Sequence, residues 1–133
     1  MNSLQNYING FKKIIGKETK PSSMSLITSF DKEKYIVDEM NLFATIGRSE
    51  KNTIVMPDER VSKLHCRIDY QEGTGFHITD YSRNGTFICD TDFKSIIHLS
   101  NKSGFIQINQ GYLYIGLPPS KGFEMTKIQF YIS

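Results

Sequence analysis

At 133 residues the chain can bury one hydrophobic core without disulfides or metals, and it is too short for two full domains. Sixteen Lys and Arg against fourteen Asp and Glu leave a formal net charge of +2, which excludes the basic excess of a typical nucleic-acid binder. A hydrophobic fraction of 38% with a charged fraction of 23% excludes a disordered chain.

Residues 3–16 place Leu4, Tyr7, Ile8, Phe11, Ile14 and Ile15 at steps of three and four, which predicts a short amphipathic helix. Gly10 weakens it by about 1 kcal/mol relative to Ala, and Gly16 and Pro21 stop it. Lys12, Lys13 and Lys17 lie away from the apolar stripe. Three roles stay open: packing on the adjoining domain, weak self-association through residues 1–20, or docking to a partner groove or an anionic surface. Residues 17–23 are polar, contain Pro21 and read as a linker, so residues 1–23 form a tail and residues 24–133 the domain.

From Met24 the period changes to two. Short runs follow at Ser25–Ser29, Lys34–Asp38, Asn41–Ile46, Thr53–Met56, His65–Tyr70, Phe76–Thr79, Thr86–Cys89, Ser95–Leu99, Phe105–Ile108, Tyr112–Ile115 and Thr126–Ile132, most of them separated by turn formers. Alternation alone carries about eight of them. Many short strands without intervening helices predict an all-β antiparallel sandwich or barrel. Cys66 and Cys89 sit inside apolar alternating runs and read as small hydrophobes, without a disulfide or the spacing of a zinc site. His77 and His98 alternate with apolar neighbours as solvent-facing strand residues, and no metal or cofactor is expected. No run reaches the length of a membrane span, and the N-terminus lacks the apolar core of a signal peptide, so an intracellular protein, cytoplasmic or nuclear, is expected.

Three short motifs stand between these runs within forty residues: Gly47-Arg48-Ser49, Ser62-Lys63-Leu64-His65 and Asn84-Gly85-Thr86. Their polar side chains fall on loops, where a rigid scaffold usually carries its binding residues. A guanidinium, a hydroxyl and an amide, with Lys51, Arg60 and Lys63 nearby, are donors suited to a phosphate dianion. Asn84-Gly85 is also a hairpin signal that needs no ligand. Ser62 and His65 could be a nucleophile and its base, but no nucleophile-elbow pattern accompanies them.

The order Gly-Arg, Ser-x-x-His, Asn-Gly-Thr resembles the forkhead-associated (FHA) domain family, over a match from about residue 24 to the C-terminus. The resemblance implies about eleven strands in two packed sheets, with the terminal strands paired and the chain ends opposite the binding loops. It implies a module that binds phosphothreonine in a partner protein, without catalysis and without nucleic acid. Arg48 would grip two phosphate oxygens in a bidentate fork, a role Lys fills poorly. Ser62 would donate its hydroxyl and a backbone N–H, Lys63 would supply point charge, and Asn84 would reach the peptide backbone. Arg83 departs from the family's usual small residue or Thr and would add a third cation. Arg60 matches a position that reads the third residue after the phosphothreonine in some members. Gly47, His65, Gly85 and Thr86 would support the site, His65 by bridging loops. The alternative is an FHA-fold scaffold or oligomerisation subunit, for example of a secretion apparatus, that binds no phosphate.

Overall fold

Along Ser23–Thr28 every second side chain is buried, with Met24, Leu26 and Thr28 at 0% exposure, which is the burial rhythm of a strand with one face on a core. The computed structural model describes residues 23–121 and 124–133. Over them the chain forms eleven strands, β1 (Ser23–Thr28), β2 (Lys34–Asp38), β3 (Phe43–Gly47), β4 (Ile54–Val55), β5 (Cys66–Gln71), β6 (Gly75–Asp80), β7 (Thr86–Cys89), β8 (Ile96–Leu99), β9 (Ser103–Phe105), β10 (Gln110–Ile115) and β11 (Lys127–Ile132), and the rhythm fades in the edge strands β8 and β9. A 3₁₀ turn at Glu124–Thr126 leads into β11. The expected helix over residues 3–16 and nearly all of the linker lie outside the described residues.

The strands form two sheets, six in the order β2-β1-β11-β10-β7-β8 and five in the order β4-β3-β5-β6-β9. The expected sandwich of about eleven strands is therefore observed. Between the sheets lies one core that includes Leu26, Ile46, Ile68, Phe76, Ile78, Leu113, Ile128 and Phe130, each at 0–1% exposure. At about 25 cal/mol per Å² of apolar area removed from water, such side chains supply the main drive to fold. Both cysteines are free and buried, as expected.

Three features differ from the sequence reading. β3 and β4 pair in parallel, Ile46 with Ile54 and Gly47 with Val55, so the smaller sheet is mixed. β9 begins two residues earlier than predicted and ends at Phe105, because Ser103–Phe105 complete the edge against Thr79–His77 while Ile106 turns into the core; pairing partners outweigh the poor strand propensity of Ser103 and Gly104. Asn84-Gly85 does not close a hairpin: β6 and β7 belong to different sheets, and the segment between them crosses from one to the other.

β1 pairs antiparallel with β11 from Met24–Ile132 to Thr28–Ile128, and the Ser23 and Ser133 backbones exchange hydrogen bonds of 3.0 and 2.9 Å. Ser23 and Ser133 therefore share the end of the sandwich near Asn109. The opposite end collects the last residue of β3, the segment entering β5, the β6–β7 crossing and Gly116 after β10, where Gly116 N–H donates to Gly85 O at 2.9 Å.

Candidate functional site

Gly47, Ser62–His65 and Arg83–Thr86 meet at that loop end because the backbone is tied there at close range. Arg48 N–H donates to Ser62 O (2.9 Å) and Ser49 N–H to Lys63 O (3.2 Å), which lays the segment before β5 against the end of β3. Asn52 Nδ2 donates to Lys63 O (2.6 Å) and Ser49 O (2.9 Å) and shapes the same turn. Only glycine fits at position 47: a Cβ there would fall onto Lys63 O and come within 2.6 Å of Asn52 Nδ2. Gly85 has φ of 89°, and a Cβ would come within 2.9 Å of the His98 ring.

His65, at 0% exposure, joins the second and third loops. Its Nδ1 accepts from Ser62 N–H at 3.0 Å, which leaves Nε2 as the protonated nitrogen donating to Gly85 O at 2.8 Å. Burial pushes its pKa below the ordinary 6.5, against weaker upward pulls from the Gly85 carbonyl and the Asp80 carboxylate. Beneath it, buried Asp80 accepts from the hydroxyls of Ser82 and Thr86 (both 2.7 Å) and from Asn101 N–H (2.8 Å), while Ser82 Oγ accepts from Gly85 N–H (2.7 Å). These bonds hold the crossing segment rigid with buried polar groups satisfied.

On this frame lies a cleft of about 410 Å³ lined by Arg48, Glu59–Leu64, Arg83 and Asn84. Arg48 is exposed, and its Nε donates to Val61 O at 3.0 Å, aligning the guanidinium while neither Nη has a protein partner among the described residues. The Ser62 hydroxyl accepts from Arg83 N–H at 3.1 Å and keeps its own proton to donate. Lys63 and Arg83 are exposed beside it. Asn84 Nδ2 gives one proton to Arg60 O at 2.8 Å, leaving its second N–H and its Oδ1. A larger cleft of about 580 Å³, at Gly73–Phe76, Phe105–Gln107, Asn109 and Ile132, lies at the opposite end and is lined by no charged side chain.

Residues 44–106 match the family model described as the FHA domain. The chain carries an FHA domain. No curated protein matches the chain. Among solved structures, it is similar to FHA-1 of Rv1747 from Mycobacterium tuberculosis, at 13% identity over 86% of this chain and 99% of that one, TM-score 0.59. The FHA domain of CT664 from Chlamydia trachomatis is similar at 15% identity over 85% and 96%, TM-score 0.57. The N-terminal FHA domain of Rad53p from S. cerevisiae, in complex with a phosphothreonine peptide, is similar at 17% identity over 82% and 90%, TM-score 0.56.

Of the site residues named from the sequence, Arg48, Arg60, Ser62, Lys63, Arg83 and Asn84 line the cleft of this FHA domain, Gly47, His65, Gly85 and Thr86 belong to the packed and hydrogen-bonded frame of its loops, and two roles change. The Ser62 backbone N–H is consumed by His65 Nδ1, so Ser62 has only its hydroxyl to offer a ligand. Arg60 is held by Asp58 in a bidentate pair of 2.8 and 2.7 Å, which holds the Asp58 carboxyl below its usual range. Both ring nitrogens of His65 are engaged by main-chain groups, so the imidazole is not positioned to take a proton from Ser62 Oγ. Sequence reading missed Asp80, Ser82 and Asn101, whose role exists only through contacts across the fold.

Proposed function

We propose that this FHA domain binds a phosphorylated threonine in an intracellular partner protein and docks to it without chemistry. The observation that carries this reading is the convergence of Arg48, Lys63, Arg83 and the Ser62 hydroxyl on one cleft whose loops are already bonded to each other. A phosphate brings up to two negative charges and three strong acceptor oxygens. Loops fixed in advance lose little entropy on closing around it. Four charge-assisted bonds of about 3 kcal/mol each, less an association cost of about 4 kcal/mol, leave about 8 kcal/mol, so micromolar binding is the upper end of what these donors supply. The remaining Asn84 donor and acceptor would pair with the peptide backbone. Arg60 would select an acidic residue in the peptide only by exchanging its Asp58 partner, so that selection is weak. The peptide complex of the yeast neighbour supports the same reading.

The test is a titration of wild-type protein and Arg48→Ala with degenerate fluorescent peptide libraries centred on phosphothreonine, phosphoserine or unphosphorylated threonine. Micromolar binding of the phosphothreonine library is expected, weakened about 10- to 150-fold in Arg48→Ala, the equivalent of one charged hydrogen bond. Asp58→Asn, which removes the carboxylate charge paired with Arg60, should sharpen selection for acidic residues. Equal affinity for phosphorylated and unphosphorylated libraries, or no loss in Arg48→Ala, would overturn the proposal.

A further inference from the structure

When a sheet packs one face on a core, its outward positions are normally polar. The five-stranded sheet follows this rule at Thr45, Arg67, Asp69 and Thr79, which border core residues Ile46, Ile68 and Ile78 along their strands, and departs from it at two separate rings, Phe43 under Arg67 and Phe105 beside His77. The six-stranded sheet departs from it over a continuous run of rings. Phe87 flanks Ile88 on β7, and Tyr112 and Tyr114 flank Leu113 on β10, so three aromatic rings stand on the side away from the core, with Tyr112 partly covered by Lys127 Nζ at 5.0 Å and Tyr114 buried beneath the others at 6% exposure. Phe93, in the turn after β7, stacks on Tyr112 with ring centres 5.6 Å apart and planes 7° from parallel, and Phe87 stacks on His98 at 4.3 Å. Ile96 on β8 and Tyr131 on β11 continue the strip on either side. Phe93, Ile96 and Tyr131 are 45%, 50% and 41% exposed. An aromatic strip of this extent on an outer face marks an interaction surface.

We infer that its occupant is the chain's own segment 4–15, laid down through the apolar stripe that the phosphate-binding function leaves unused. Twelve residues at helical spacing measure about 18 Å. From β1 to β8 the face crosses four strand intervals of about 4.8 Å each, about 19 Å in all. The chain enters the sandwich at Ser23 on β1, at the margin of this same face. Residues 16–22 reach at most about 23 Å when extended, enough to bring Ile15 back over any strand of this sheet. The outer face of the other sheet requires a path around the sandwich edge and through a further separation of about 10 Å between sheets. Lys12, Lys13 and Lys17, away from the stripe, stay in water, with Asp90 and Asp92 beside Phe93 offering opposite charge. The cleft lined by Arg48 and Asn84 lies on the loops at one end of the sandwich, so a segment on this face leaves it open.

The test attaches a nitroxide to the full chain at Lys12→Cys, on the polar side of the stripe; the native cysteines, at 0% and 1% exposure, stay unlabelled. Amide signals of Phe87, Tyr112, Tyr114 and Ile96 are expected to broaden, while those of Thr45, Arg67 and Thr79 stay sharp. Adding Phe11→Glu should restore the broadened signals. An equimolar mixture of ¹⁵N-labelled unspun chain with unlabelled nitroxide chain should show no broadening. Broadening in that mixture would assign the strip to a second copy, and broadening elsewhere or nowhere would leave it to another partner; each result overturns the inference. A spectrum of Phe11→Glu with native dispersion establishes that the variant folds.

Discussion

His65 shows how much a single side chain settles at this site. Its two nitrogens bond Ser62 N–H and Gly85 O at 0% exposure; without the ring Ser62 N–H loses its partner, while Gly85 O keeps the bond from Gly116 N–H. His65→Phe keeps the ring volume and should cost on the order of 1–3 kcal/mol, read as a lower urea midpoint. Burial holds the folded-state pKa below the unfolded value of 6.5, so the unfolded chain takes up the proton first as the pH falls. Stability from this group is complete above pH 6.5, declines as the pH falls below it, and levels off beneath the folded-state pKa. Urea midpoints measured from pH 8 to pH 5 should show that decline in wild type, and His65→Phe should lack this component. The sequence made the loop residues around His65 legible because they cluster in short motifs. Asp80, Ser82 and Asn101 were not legible, since an Asp, a Ser and an Asn near turns are ordinary until the fold brings them together. The same holds for Ser62 N–H, whose occupation by an imidazole is a matter of ångströms.

At the level of strands, alternation was informative and pairing was not. β6 makes the contrast testable: Ile78 at 0% exposure faces the core and neighbouring Thr79 faces outward. Ile78→Ala should cost about 2–5 kcal/mol in urea unfolding, and Thr79→Ala should stay within about 0.5 kcal/mol. Similar losses at both positions would contradict the assigned faces. A period of two says which residues share a face but not which strand lies alongside. That is why the short β4 could be located in the sequence while its parallel pairing with β3 could not. Asn84-Gly85 carried a valid turn signal with the wrong consequence: only Gly85 takes positive φ, at 89°, and the turn passes between sheets. Ser103-Gly104 had the opposite fault, with weak strand formers recruited because β6 had an open edge.

Across the whole molecule, the two thiols report on the integrity of the sandwich. Burial pushes Cys66 up to about 12 and Cys89 up to about 11, so at pH 8 thiolate amounts to about one part in ten thousand and one part in a thousand respectively. Iodoacetamide should leave both unmodified in the folded protein and label them in step with unfolding as urea is raised, as read by mass spectrometry. Fast labelling of either in native conditions would mean the sandwich opens locally. The β1–β11 pairing has a mechanical consequence. Ser23 and Ser133 lie side by side at one end of an antiparallel ladder, so opposing forces on these two residues act across the strands instead of along them. The load falls on one hydrogen-bonded pair at a time, starting at Ser23 and Ser133, and the ladder unzips where a sheared ladder would share the load among all its bonds. Under tension applied through these two residues the domain is a weak link that yields early, and the loops at its far end feel the pull only after both terminal strands have peeled away.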